Sequence, residues 1–219
     1  MNQINYQREL EKLLERLESE HGNGEVTEAP KLFLHSCCAP CSSYVLEYLC
    51  SRFRITVFYF NPNISENAEY LRRVEEQKRL IEAYNREERG YPISIVEGDH
   101  DPQLFFRAVK GLENCPEGGE RCFRCFDLRL RETARMAASG GYDFFGTTLT
   151  ISPLKNAEKL NEIGGALAKE YGVLWLPSDF KKKNGYKRSV ELSAEYNLYR
   201  QDYCGCAFSK AEREQSRIL

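Results

Sequence analysis

The chain has 219 residues, 42% of them hydrophobic and 29% charged. That is the composition of a globular protein able to bury a real core, which excludes disordered and fibrous classes. With 31 basic against 33 acidic residues, the net charge of -2 gives no global pull toward nucleic acid, so any RNA binding needs a local patch.

The first segment, MNQINYQRELEKLLERLESE, repeats Leu10, Leu13, Leu14 and Leu17 at helical spacing. It lacks the apolar stretch and small-residue cleavage site of a leader peptide. HGNGEVTEAP reads as a loop. Residues 1–30 are therefore expected to form an N-terminal helical extension and loop, and residues 31–219 an α/β catalytic domain ending in a basic and Cys-Gly-Cys segment. No run approaches the roughly 20 apolar residues of a membrane span. A cytoplasmic location is expected, where structural disulfides are rare and clustered cysteines bind metal or do redox work.

KLFLH is a short apolar strand, and Pro40 stands where a helix can begin, continued by SSYVLEYLCSRF. RITVFYF is the second strand, closed by Asn61-Pro62-Asn63. ISENAEYLRRVEEQKRLIEAYNRE is a long helix with Ser65 as its expected N-cap and Gly90 as its end. YPISIVEG is a third strand, DPQLFFRAVKGL a helix and ENCPEGGE a turn-rich loop. Helix returns in RCFRCFDLRLRETARMAASG, YDFFGTTL is a fourth strand, NAEKLNEIGGALAKEYG is helical, and VLWLP is the fifth strand. This alternation predicts an α/β fold: a mostly parallel sheet with helices on both faces. Ligands of such sheets sit at the carboxyl ends of the strands, where Cys37 and Cys38, Asn61 to Asn63, and Thr147 to Ser152 all fall.

Nine cysteines is a large number for such a chain, and three groups stand out: Cys37-Cys38 with Cys41 nearby, Cys122-Phe-Arg-Cys125, and Cys204-Gly-Cys206. Two cysteines at a helix start and two from a distant loop make four thiolates, a set that suits zinc or an iron–sulfur cluster. Adjacent thiols rarely aim at one tetrahedral ion, whereas a cluster offers several irons. The spacing therefore favours a 4Fe-4S cluster on Cys37, Cys38, Cys122 and Cys125, with zinc and incidental thiols as the competing readings. In Cys204-Gly-Cys206 a glycine eases the closing of a tight, reducible disulfide, which suits catalysis; two more metal ligands are the alternative. Cys50 lies among helical apolar residues and reads as a small buried hydrophobe. Cys41 and Cys115 are spare thiols or ligands of a second metal.

Asp127 reads as a solvated helix carboxylate, and His35 and His100 as hydrogen-bonded structural groups. Lys181, Lys182, Lys183, Lys187 and Arg188 surround Tyr186. Such a run is commonly a solvated face, but basic residues around an aromatic also hold phosphates and stack an unpaired RNA base.

Taken together, HSCCAPCS, PEGGERCFRCFDLRLRETA, FFGTTLTISPLKN and DFKKKNGYKRSVELSAEYNLYRQDYCGCAFS resemble the QueH-type epoxyqueuosine reductases, over about Lys31 to Ser209. The resemblance implies a Rossmann-like α/β fold of the HUP type, related to the PP-loop enzymes. It also implies the last step of queuosine biosynthesis, reduction of the epoxide of epoxyqueuosine at the wobble position of tRNA. Cys37, Cys38, Cys122 and Cys125 would then bind the 4Fe-4S cluster, and Cys204 with Cys206 would form a redox-active disulfide. A second iron or other metal ion accompanies the cluster in that family, with ligands the matched motifs do not assign. Competing readings are an ATP-dependent tRNA-modifying enzyme of the PP-loop kind, a non-enzymatic zinc protein that binds RNA, and a general thiol–disulfide oxidoreductase. The first lacks a glycine- and serine-rich phosphate loop after the first strand, where the cysteines stand.

Overall fold

A computed structural model describes residues 4–22 and 28–218. In chain order the elements are α1 (Tyr6–Gly22), β1 (Lys31–His35), α2 (Ala39–Leu49), β2 (Arg54–Tyr59), α3 (Asn67–Arg86), β3 (Ser94–Glu97) and α4 (Pro102–Ala108). They continue with α5 (Glu120–Ser139), β4 (Phe144–Thr147), α6 (Ala157–Tyr171), β5 (Leu174–Trp175), α7 (Gly185–Glu195) and α8 (Ala207–Ile218). The five strands form one all-parallel sheet in the order β3-β2-β1-β4-β5. This is the α/β parallel-sheet architecture that the alternation predicts, and the Rossmann-like arrangement that the family resemblance implies.

Alternating side chains of the sheet feed two cores, because successive residues of a strand point to opposite faces. Leu32 and Leu34 of β1 pack with Ile55, Val57 and Phe144 against α2 and α3, and Leu10 and Leu14 of α1 join that cluster. Phe33 packs on the other face with Phe58, Phe145, Leu130 and Leu160, under α5 and α6. Full burial of each such side chain contributes about 1.5–3 kcal/mol. No helix among the described residues is long and apolar enough to cross a membrane.

Several boundaries depart from the sequence reading. Ser65 does not cap α3, which starts at Asn67 after Glu66 with no side-chain cap. Instead Ser65 accepts from the Ala207 amide at 3.0 Å and donates its own N–H to the Gly205 carbonyl at 3.1 Å, a long-range use that outcompetes the local one. That helix ends at Arg86, before Gly90. The fifth strand shrinks to Leu174–Trp175, and α7 and α8 follow in a stretch whose local pattern predicts no element.

His35 is a structural group. Its Nε2 donates to the Phe60 carbonyl (3.2 Å) while Nδ1 accepts from the Thr147 hydroxyl (2.9 Å), tying β1 to both neighbours. Burial, with the Arg129 charge adding, lowers its pKa to about 3. The unfolded chain therefore takes up a proton near pH 6.5 that the native state refuses until about pH 3. Stability is expected to fall as pH drops through that window, by about 1.4 kcal/mol per unit from this residue. Acid melts of His35→Gln should show a flatter slope, and an unchanged slope would refute the assignment. His100 is structural as well, stacked on Tyr70 at 3.7 Å and bonded to the Ile64 carbonyl.

Candidate functional site

The strand order reverses between β1 and β4, so the chain leaves these neighbours in opposite directions and opens a crevice beyond their carboxyl ends. Beyond β1 lies Ser36-Cys37-Cys38, and beyond β4 the tight turn Thr148–Ile151. The cysteine turn is held from all sides. Ser36 donates its N–H to the Phe58 carbonyl, its carbonyl accepts from Asn61 Nδ2 (2.8 Å), and its hydroxyl meets Ser42 and Gln77. Pro40 sits in the first turn of α2, as its fixed φ allows, with Cys38 extended as the N-cap.

The Cys37 and Cys38 sulfurs are 3.7 Å apart. With Cys41, one turn into α2, they form a group whose ligand atoms all lie within 4.8 Å, an arrangement able to hold a metal ion. The two adjacent thiols thus converge, contrary to the expectation that neighbours rarely aim at one point. Cys41 lies three residues after the Cys38 N-cap, one helical turn on, which brings its sulfur round to the same side. Thiol donation from Cys38 and Cys41 holds Cys37 well below the usual thiol range, with Lys155 and Arg129 adding to the effect. Cys38, as a donor to Cys37, is pushed up to about 11.

Cys122 and Cys125 occupy the first turns of α5 and line a small second cavity with Cys204 and Cys206. The larger cavity, about 390 Å³, is lined by Cys37, Cys38, Cys41 and again Cys204. Cys204, Glu117, Arg129, Leu154 and Lys155 belong to both walls, so the three cysteine groups surround two adjoining spaces. Burial pushes the Cys125 thiol up to about 11. Seven soft sulfur donors facing adjoining cavities suit a thiolate-bound metal centre.

Cys204 and Cys206 are free thiols with sulfurs 3.4 Å apart. Gly205 between them has φ +108°, a conformation that disfavours any side chain; an added Cβ would also press on Ile64 and the Arg73 guanidinium. The Cys204 carbonyl accepts from Arg73 Nη1 (3.2 Å) and Asn63 Nδ2 (3.3 Å), while the Cys206 sulfur accepts from the Ser209 amide (3.3 Å). The neighbouring Cys206 thiol and the Lys155 ammonium bring Cys204 down to about 6, and Cys206 is driven far up in return. Cys204 is thus the thiolate of the pair at neutral pH. Its alkylation in metal-free protein is expected to follow a pH profile centred near 6, against about 8.5 for an ordinary cysteine. Cys206→Ala should move that midpoint upward, and an ordinary midpoint in the parent protein would refute the pairing.

The basic run is divided. Tyr186, 41% exposed, lines the larger cavity. Lys181 pairs with Asp179 (2.6 Å) and Lys183 with Glu11 of α1, while Arg188 grips Glu47 with two bonds of 2.7 and 3.0 Å. Lys182 and Lys187 are exposed. Cys50 is buried in the core, Asp127 pairs with Arg131 at the surface, and Cys115 is a half-buried thiol in the loop before α5.

Sequence reasoning singled out none of the cations of the site. Arg73, Arg129 and Lys155 all line the larger cavity. Arg129 and Lys155 fall inside stretches that carry the family resemblance and Arg73 in a plain helix, and nothing in their local context marks a cation site. Lys155 keeps its proton firmly: burial works against the charge, but the Cys37, Cys41 and Cys204 sulfurs more than offset it.

A family model described as epoxyqueuosine reductase QueH matches residues 32–212. The epoxyqueuosine reductase QueH of Staphylococcus epidermidis is 43% identical over 208 residues, covering 94% of this chain and 84% of that protein. Its counterpart from Streptococcus pyogenes is 44% identical over 206 residues, with coverage of 94% and 78%. The one from Thermotoga maritima is 34% identical over 190 residues, with coverage of 84% and 92%. Similarity of this extent, spanning the sheet and all three cysteine groups, means that the chain belongs to the QueH epoxyqueuosine reductase family.

Proposed function

We propose that this chain reduces epoxyqueuosine in tRNA to queuosine, a two-electron removal of the epoxide oxygen at the wobble nucleoside. The observation that carries the reading is the meeting of three cysteine groups on two adjoining cavities at the sheet's switch point. Epoxide plus two electrons and two protons gives alkene plus water, and a dithiol that closes to a disulfide releases just those electrons and protons.

In this reading Cys37, Cys38, Cys122 and Cys125 hold a 4Fe-4S cluster, and Cys41 is a fifth sulfur available to a second metal ion. Zinc has no redox chemistry, which disfavours it in a reductase. When bound, the iron–sulfur centre supplies single electrons at low potential and a Lewis-acidic iron for the epoxide oxygen. The protein's own groups do the rest. Cys204 presents a thiolate to the larger cavity, and Cys206 keeps a proton in reserve until the disulfide forms. The cavity, about 390 Å³, has the size of a small-ligand site and suits a base turned out of the anticodon loop. Tyr186 at its wall offers a stacking face. Of the basic run, Lys182 and Lys187 are the exposed charges left for the phosphates, Lys181, Lys183 and Arg188 being paired with carboxylates. In this reading residues 31–219 are the catalytic unit and residues 1–30 an extension, of which α1 packs on the sheet's core through Leu10 and Leu14.

The test is anaerobic incubation of metal-loaded protein with epoxyqueuosine-containing tRNA and dithionite, followed by nucleoside mass spectrometry. The reading expects a product with one oxygen fewer. Unchanged nucleoside from fully loaded protein would overturn it. Membership of this family leaves the ATP-dependent and zinc-only alternatives without support.

A further inference from the structure

Arg129 is only 2% exposed, yet no carboxylate pairs with it among the described residues. Its Nη1 donates to Asn63 Oδ1 at 2.7 Å and reaches Asn61 Oδ1 at 3.4 Å. Its Nε and Nη2 are buried and have no partner at all. A buried guanidinium with two idle donors is strongly disfavoured unless an anion meets it. This one lines both cavities, one helical turn beyond Cys125 on α5, and its charge acts on Cys37 and on Cys125.

The asparagines that fix it are themselves tied to the sulfur-bearing loops. Asn61 Nδ2 donates to the Ser36 carbonyl, next to Cys37, and Asn63 Nδ2 donates to the Cys204 carbonyl. The guanidinium therefore keeps one orientation relative to both the Cys37-Cys38 turn and the Cys204-Gly-Cys206 loop. A tRNA phosphate does not reach a side chain so deeply enclosed; exposed Lys182 and Lys187 serve that purpose better.

We infer that Arg129 is the built-in counter-charge of the thiolate-ligated redox centre, a positioning residue whose Nε and Nη2 offer hydrogen bonds to that anionic centre and hold its reduction potential up. This inference rests on the metal-centre reading above. Each electron added makes the centre more negative, so a fixed cation beside it stabilises the reduced form, and hydrogen bonds to sulfur act in the same direction. The fork also explains why arginine suits the place better than lysine: one nitrogen is spent on the asparagines and two remain for the sulfurs.

The test compares the midpoint potential of wild type, Arg129→Gln, Arg129→Lys and Asn63→Asp, each anaerobically reconstituted with iron and sulfide. Asn63→Asp nearly preserves shape while setting a carboxylate against Nη1, so it offsets the guanidinium charge without opening a void, at the loss of one bond to the Cys204 carbonyl that Arg73 also holds. It keeps the test alive should Arg129→Gln load poorly. The expected result is a more negative midpoint in Arg129→Gln and Asn63→Asp at wild-type iron and sulfide content, with Arg129→Lys between them and wild type. Loaded variants that share the wild-type potential would overturn the inference, including the case in which only turnover falls, since Arg129 would then act on the substrate instead. A wild-type protein that takes up no iron and sulfide would instead overturn the metal-centre reading, a separable outcome.

Discussion

Replacing either cysteine of the Cys204-Gly-Cys206 loop by alanine is expected to lower multiple-turnover reduction of epoxyqueuosine-containing tRNA by at least about a thousandfold, the scale typical of losing a covalently acting residue. Cys204→Ala removes the thiolate that faces the larger cavity. Cys206→Ala leaves a thiol at 204 but takes away both the hydrogen bond that makes it acidic and the partner with which it closes. Neither change touches Cys37, Cys38, Cys122 or Cys125, so iron content should be unaffected. Because the two cysteines act as one unit, the double variant should be no worse than either single one. Variants retaining full multiple turnover would remove the dithiol from the mechanism.

The largest effect on stability is expected from Arg73→Ala. Arg73 is 2% exposed and pairs with Glu69, itself largely buried, at 2.6 Å. The same guanidinium donates to the Tyr203 and Cys204 carbonyls, clamping the dithiol loop against α3. Truncation leaves the Glu69 carboxylate without its cation, with the Tyr199 hydroxyl still bonded to it, and frees the loop. Breaking a buried pair from one side costs about 3–5 kcal/mol. For a chain of this size that corresponds to a fall in Tm of roughly 10 °C. Arg73→Lys keeps the charge but not the fork and should fall in between. Thermal melts followed by circular dichroism read the effect, and a fall below about 3 °C on Arg73→Ala would show that the clamp contributes little.

The parts of this architecture that were legible in the sequence are those decided locally. KLFLH alternates between two cores, Pro40 is well suited to a helix's first turn, and the repeating strand–helix pattern leaves a parallel sheet as the economical solution. The cysteine groups stood out because clustered thiols are unusual in such a chain, and Cys41 lies one helical turn after Cys38, so its approach follows from the same spacing. What resisted reading is decided by distant contacts. Ser65 has every local qualification for an N-cap, yet it serves the Cys204–Ala207 segment instead. Arg73, Arg129 and Lys155 belong to residue types that mostly face water, and only the packed fold makes them walls of a sulfur-lined cavity. The basic run around Tyr186 looked like one patch, but acidic partners on α1 and α2 claim Lys183 and Arg188, a pairing across sequence distances that no local pattern encodes.

The central claim is that Cys37 and Cys38 share one iron–sulfur centre with Cys122 and Cys125 across the crevice. Iron and acid-labile sulfide analysis of anaerobically prepared protein, with its visible spectrum, tests this most directly. The account predicts brown protein with about four irons and four sulfides per chain from the cluster, any second iron adding to that count, and loss of the colour when cysteines of either group are replaced. Colourless protein carrying stoichiometric zinc, or a cluster that survives replacement of both Cys122 and Cys125, would contradict it.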